Sequence, residues 1–135
     1  MLSIMLYVHT KISQSPIEGI GLFADEFIPK GTIIWKFTPG FDVKFTADEI
    51  KNFPEKIQSY MDRYAWLSKK SDKYCFSSDN GKYFNHSRTP NSLSAYYDDE
   101  EEVVTKAIQD IHPGDEITDN YAAFDKNFRE ETLSK

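Results

Sequence analysis

Tyr83-Phe84-Asn85-His86-Ser87-Arg88-Thr89-Pro90-Asn91 decides how this chain folds, and Gly114-Asp115-Glu116-Ile117-Thr118-Asp119-Asn120-Tyr121 is its counterpart nearer the C-terminus. Gly19-Ile20-Gly21 precedes both. Asn85 can present a donor and an acceptor together, and Pro90-Asn91 makes a rigid turn with a polar exit. Phe84 is a core candidate. In the second stretch, Gly114 permits the turn His112-Pro113-Gly114-Asp115, and Glu116-Ile117-Thr118 reads as a strand that places Tyr121. Two glycines around Ile20 let backbone pass close to a ligand with no Cβ in the way. The further glycine and lysine of a phosphate loop are absent, so this is not one.

Outward from these motifs, the chain reads as short strands joined by turns. Leu6-Tyr7-Val8 is expected as a first strand. Gly21-Leu22-Phe23-Ala24 and Thr32-Ile33-Ile34-Trp35-Lys36-Phe37 look like a strand pair split by the turn Ile28-Pro29-Lys30-Gly31. Phe41 to Phe45 alternates as a half-buried strand should. Thr46-Ala47-Asp48-Glu49 then forms a capping box, and a second helix opens at Pro54. Ile57, Tyr60, Met61 and Tyr64 share one helical face and read as core. Tyr74-Cys75-Phe76 resumes as a strand, and Asn80-Gly81 makes a tight turn. Strands over Leu93–Tyr97 and Val103–Ile108 flank Asp98-Asp99-Glu100-Glu101-Glu102, which reads as a solvated turn rather than a substrate-docking patch. A short helix is expected from Asp125 to Leu133, capped by Asp125.

A chain of 135 residues is read as one domain, 1–135. Aromatic residues at 15% argue against disorder. Lys and Arg total 16 against 22 Asp and Glu, a formal charge of -6. That balance disfavours direct nucleic-acid binding and suits a Lys-rich peptide or a basic protein tail. No apolar run approaches the roughly 18 residues of a membrane span. Met1 to Leu6 lacks the basic start of a signal peptide, and one cysteine, Cys75, forms no internal disulfide. An intracellular protein, cytoplasmic or nuclear, is the expectation. His9, His86 and His112 are scattered with no Cys cluster, which argues against a metal site. No Gly-x-Ser-x-Gly elbow occurs to support a nucleophile–His pair.

The three motifs, in this order and over Gly19 to Tyr121, resemble the SET-domain protein-lysine methyltransferases. The resemblance implies a mostly β (α+β) fold of several small twisted sheets. It implies a helical insert at about 46–67, a tail at 122–135, and a C-terminal pseudoknot in which the segment before Tyr121 passes under the loop around Asn91. It implies S-adenosyl-L-methionine as cofactor, bound by Gly19, Ile20, Gly21, Asn85, His86 and Tyr121. Tyr121 takes the catalytic tyrosine position, lining the methyl path and orienting a lysine amine of a protein or peptide substrate. Cys clusters that would flank a zinc-bearing member are missing before Gly19 and after Tyr121. Phe124 and Phe128 are therefore candidates for an aromatic lid, with packing of the last helix as the equal alternative.

Asp119 stands two residues before Tyr121, where many members of that family carry an aromatic residue. It is placed as a substrate-binding residue beside Tyr121, holding a charged methylated amine or pointing to solvent. Asp115 and Glu116 are read as ion-pair candidates rather than catalytic carboxylates. Lys82 stands where an Arg is common, and Ser87 and Thr89 follow the His. Two alternatives stay open: a SET-fold interaction module with little turnover, and methyl transfer to something other than a protein lysine. Compact viral forms of the family often dimerise, so a dimer is a further option.

Overall fold

A computed structural model describes residues 6–129. The readings placed on Met1–Met5 and on residues 130–133 lie outside the described residues. The order is β1 (Thr10–Gln14), β2 (Ile20–Ala24), β3 (Ile33–Lys36), β4 (Val43–Phe45), α1 (Ala47–Lys51) and α2 (Glu55–Tyr64). There follow β5 (Trp66–Leu67), β6 (Tyr74–Phe76), β7 (Asn85–His86), β8 (Ser92–Ala95), β9 (Val104–Ala107) and β10 (Thr118–Asp119). Four small sheets result among the described residues: β1-β2, β10-β7, β3-β9-β8 and β4-β6-β5. The β7–β10 pair is parallel and the others are antiparallel. Mostly β, with a short helical insert, is the expected class.

The core runs between the sheets through Leu22, Ile28, Ile34, Ile111 and Ile117, all fully buried, with Trp35, Phe37, Phe84 and Phe124 around them. Strands as short as these bury little alone, so side chains shared between sheets hold them. Ile28 and Ile111 exchange backbone hydrogen bonds at 2.8 and 2.9 Å. Ile28 is thereby drawn into the core before the chain makes its expected turn, where Thr32 N donates to the Pro29 carbonyl at 3.1 Å and Gly31 adopts φ +91°. For that reason β2 and β3 do not pair with each other: β2 pairs with β1, and β3 with β9. The first strand also differs. Leu6 makes a single bridge to Trp35, and Thr10–Gln14 is the strand, its mixed polar sequence suited to a mostly exposed ribbon. Gly114 adopts φ +91°, and the expected strand Glu116-Ile117-Thr118 is displaced to Thr118–Asp119 because Glu116 bridges Phe23 instead.

The capping box holds: Thr46 Oγ1 accepts from Glu49 N at 3.1 Å and Glu49 Oε1 accepts from Thr46 N at 2.8 Å. The apolar stripe of α2 is not core. No residue of that helix is buried, and Ile57 and Tyr60 are 43% and 41% exposed. A ten-residue helix lying on the rim of small sheets has no second layer to cover it. The acidic run also divides. Asp98 and Asp99 are exposed, but Glu102 is buried, its carboxylate taking Ser68 Oγ at 2.6 Å and Lys44 Nζ at 3.1 Å. Residues 125–129 form turns rather than a helix, with Asp125 Oδ1 accepting from Leu67 N and Asn127 N. Backbone demand from β5 captures that carboxylate, so it caps a turn.

Candidate functional site

Asn91 ties the two decisive stretches together. Its amide nitrogen donates to the Glu116 carbonyl at 2.8 Å, and its amide oxygen accepts from Thr118 N at 2.9 Å. Ser92 Oγ donates to the Thr118 carbonyl at 2.7 Å and Ser87 N to the Asp119 carbonyl at 2.9 Å. A buried backbone needs such partners, and here side chains supply them because the parallel pair is only two residues long. The segment before Tyr121 is thereby threaded beside β7 under the Asn91 loop.

Asn85, 8% exposed, spends its amide nitrogen on the protein: Glu18 O at 3.1 Å, Ile20 O at 3.4 Å and Glu116 Oε2 at 2.8 Å. Asn85 therefore fastens the glycine loop to the second motif. Glu116, read as an ion-pair candidate, instead accepts from Asn85 and from Ser15 Oγ at 2.8 and 2.9 Å. Asp115 accepts from His112 N. Gly21 makes room for this carboxylate, since a Cβ there would lie 2.3 Å from Glu116 Oε2. Gly19 adopts φ +44°, a left-handed turn that favours glycine. Sequence reading missed Glu116 as a partner of Asn85, because a strand position gives no hint of which side chain it faces.

His86 Nδ1 accepts from Tyr121 N at 3.1 Å, so the neutral ring carries its proton on Nε2. The ring centroids of His86 and Tyr121 lie 5.2 Å apart, and Phe128 stands 4.7 Å from His86 and 5.8 Å from Tyr121. Phe124 meets Tyr121 at 5.8 Å and Trp66 edge-on at 5.4 Å. Phe124 is buried and belongs to the core, whereas Phe128 is half-buried and closes over His86. The Tyr121 hydroxyl donates to the Phe84 carbonyl. Burial first, then the charge of Asp119, push that phenol up, so it is a neutral donor at physiological pH and no base.

Asp119 is 1% exposed. Its carboxylate accepts from Ser94 Oγ, from Ser94 N at 3.2 Å and from Asn120 N at 2.8 Å. It does not point to solvent. β10 turns it inward onto β8, and burial pushes it up to about 6 although those hydrogen bonds pull the other way.

A cavity of about 610 Å³ joins these parts, within the usual size of a ligand site. Ile20, Asn85, His86, Asp119, Tyr121, Phe124 and Phe128 all line it. Gly19 and Gly21 do not; they shape the loop behind Ile20. The opposite wall comes from the end of α2 and from β5, with Arg63, Tyr64 and Trp66. Arg63 reaches Glu18 at 3.5 Å across the rim. Sequence reading gave the insert over about 46–67 but not these lining side chains, which come together only when the insert folds over β6. Among the described residues no group of three or more His, Cys, Asp or Glu could hold a metal ion, and no helix is long and apolar enough to cross a membrane.

Residues 19–122 match the model of the SET domain. The chain belongs to the SET-domain family. No relative among curated proteins matches it in sequence. Among solved structures, a Plasmodium falciparum protein described as a candidate histone methyltransferase is 22% identical with a TM-score of 0.61, over 86% of this chain and 95% of that chain. Polycomb Repressive Complex 2 of Chaetomium thermophilum, in an autoinhibited conformation bound to S-adenosylmethionine, gives 22% identity and a TM-score of 0.65. The apo form of that complex with two mutations in its Ezh2 gives 24% and 0.67. These two comparisons cover 94% of this chain but only 17% and 16% of the other chain. At such identities the likeness is one of fold.

Proposed function

We propose that this SET domain transfers a methyl group from S-adenosyl-L-methionine to a lysine amine of a protein or peptide. The observation that carries the reading is convergence. Three motifs far apart in sequence meet at one cavity, where Asn85, His86 and Tyr121 stand together with an aromatic side chain from the tail.

The residues present fit the cofactor. Ile20, Asn85 and His86 line one part of the cavity beside the left-handed turn at Gly19, and Phe128 covers His86. Tyr64, Trp66 and Tyr83 line the cavity, and aromatic rings favour a cation beside them. Bound there, the cofactor would supply an electrophilic methyl group on a sulfonium. The chain's own task is to position a lysine amine that is neutral at the moment of transfer. A free lysine, with a pKa of about 10.4, is neutral in roughly one molecule per thousand at pH 7.4, a cost near 4 kcal/mol. The aromatic side chains around the cavity help desolvate the amine, which lowers that cost. Tyr121, its backbone N–H held by His86 and its neutral hydroxyl by the Phe84 carbonyl, orients the amine rather than taking its proton. A net charge of -6 favours a basic protein segment as partner.

The test is calorimetric binding of S-adenosylmethionine by wild type and Tyr121→Phe, with transfer of labelled methyl to Lys-containing peptides. Binding by both, with transfer reduced about 100-fold or more in the variant, is expected. Folded wild type that binds no cofactor would sink the assignment. Binding with no transfer to any basic peptide would leave an interaction module.

A further inference from the structure

Three buried carboxylates can be compared. Glu102 has its cation, Lys44, at 3.1 Å. Asp42 caps a turn away from the cavity, accepting from Thr38 N and Ser78 N at 2.8 and 2.9 Å. Asp119 lies on the cavity wall, yet among the described residues none of its hydrogen bonds comes from Lys, Arg or His. Its donors are Ser94 and the Asn120 backbone, and Ser94 Oγ is itself shared with Thr105 Oγ1 at 2.6 Å. Ser94 and Thr105 line the same cavity. A buried anion held only by neutral donors, at the wall of the cavity and two residues from Tyr121, keeps a charge that a cation entering the cavity would balance.

We propose that Asp119 is the counter-charge for the side chain entering the cavity: it draws the substrate amine in as an ammonium ion, binding it tightly while slowing its deprotonation. This rests on the methyltransferase reading above. The consequence follows from linkage. A nearby carboxylate favours the ammonium over the neutral amine, so it strengthens the ground-state complex and raises the amine's pKa within it. Each unit of that shift is about tenfold in affinity for the cation and an about tenfold smaller fraction of neutral amine. The two effects oppose, so the charge lowers KM and kcat together and leaves kcat/KM nearly unchanged. Methylated lysines keep their charge and belong to the same substrate class; a neutral side chain of equal length does not.

Other charges act nearby. Asp125 and Glu116 on the acidic side and Arg63 on the basic side reach Tyr121. Asp125 is also pushed up by burial, and His86 is the register partner of Asp119 across the β7–β10 pair. Comparison with Asp119→Asn at each pH therefore isolates the Asp119 contribution. That change keeps the shape and can keep the Ser94 and Asn120 contacts while removing the charge.

The experiment pairs steady-state kinetics on a Lys-containing peptide with calorimetric binding of that peptide and of its norleucine counterpart, both at saturating S-adenosylmethionine. Asp119→Asn is expected to raise KM and kcat about tenfold each, one pK unit's worth, with kcat/KM within a few-fold of wild type. Wild-type affinity for the Lys peptide should fall as pH drops through about 6, and the variant should lack that step. Ser94→Ala, which keeps the charge but removes a donor that stabilises it, should move the step to higher pH. Unchanged KM and pH profile in a folded, cofactor-binding Asp119→Asn would overturn the proposal. So would a fall in kcat and kcat/KM together, or wild type that binds both peptides equally. Peptide binding needs no turnover, so an inactive wild type fails the methyltransferase reading while the counter-charge is still decided.

Discussion

The paired strands around Asn85 and Thr118 and the insert from Thr46 to Leu67 face each other across one cavity, yet they are held in different ways. The strand pair is two residues long on each side, and its neighbourhood is dense with buried polar contacts from Asn85, Asn91, Ser92, Ser94, Glu116 and Asp119. The insert has no buried residue in either helix. It is held by its caps and by ring contacts such as Tyr64 on Tyr83 at 5.7 Å and Tyr60 on Phe76 at 5.7 Å. Hydrogen bonds with fixed directions suit a wall that must position reacting atoms. Rings on an exposed helix suit a wall that meets varied partners.

The comparison can be broken hardest at Gly21. A methyl there meets Glu116 Oε2 at 2.3 Å and Ser15 Cβ at 2.9 Å, and the carboxylate cannot swing away without leaving Asn85 and Ser15. Gly21→Ala is expected to lose about 3 kcal/mol in urea unfolding. An unchanged midpoint would mean the polar frame is pliable.

Asp119 sharpens the contrast through pH. Its folded value of about 6 exceeds the ordinary 3.8, so between those values the folded protein holds more protons than the unfolded chain. Stability from this group is therefore highest below pH 4 and falls by about 3 kcal/mol as pH rises through 6. Asp119→Asn should lack that fall, as read by unfolding at pH 4, 6 and 8. Equal slopes in both proteins would show that the carboxyl is not desolvated as its burial indicates.

Asn85→Ala should cost about 2 kcal/mol, since it leaves the Glu116 carboxylate with one fewer donor and frees the glycine loop. Cofactor binding by this variant must therefore be judged beside its melting curve. At the small end, Ile57→Ser in the insert should change stability by less than about 0.5 kcal/mol. A loss above about 1 kcal/mol would show that the insert has a core of its own.

Much of the frame was legible from local chemistry. The capping box at Thr46, the helix opening at Pro54, the strand at Tyr74–Phe76 and the hairpin around the acidic run all follow from turn and periodicity signals that act over a few residues. Partners were not legible. The pairing of β2 with β1 rather than β3, the exposed stripe of α2, the burial of Glu102 and the inward turn of Asp119 each depend on residues distant in the chain. Glu116 shows the limit most clearly. It lies 31 positions from Asn85 and reads as an ordinary strand residue, yet its carboxylate joins Asn85 to Ser15.

The sequence by itself determined the family, the mostly β class and some of the residues that line the cavity, because motifs encode which side chains are supplied and where the backbone turns. The tertiary structure alone decided what those side chains are bonded to. Asn85 is committed to Glu116 and the glycine loop, Phe124 to the core, Phe128 to His86, and Asp119 to Ser94 at the cavity wall. The reason is physical: turns and caps are satisfied within a few residues, whereas a buried polar or aromatic group takes its partner from whatever the fold brings within hydrogen-bond or van der Waals reach.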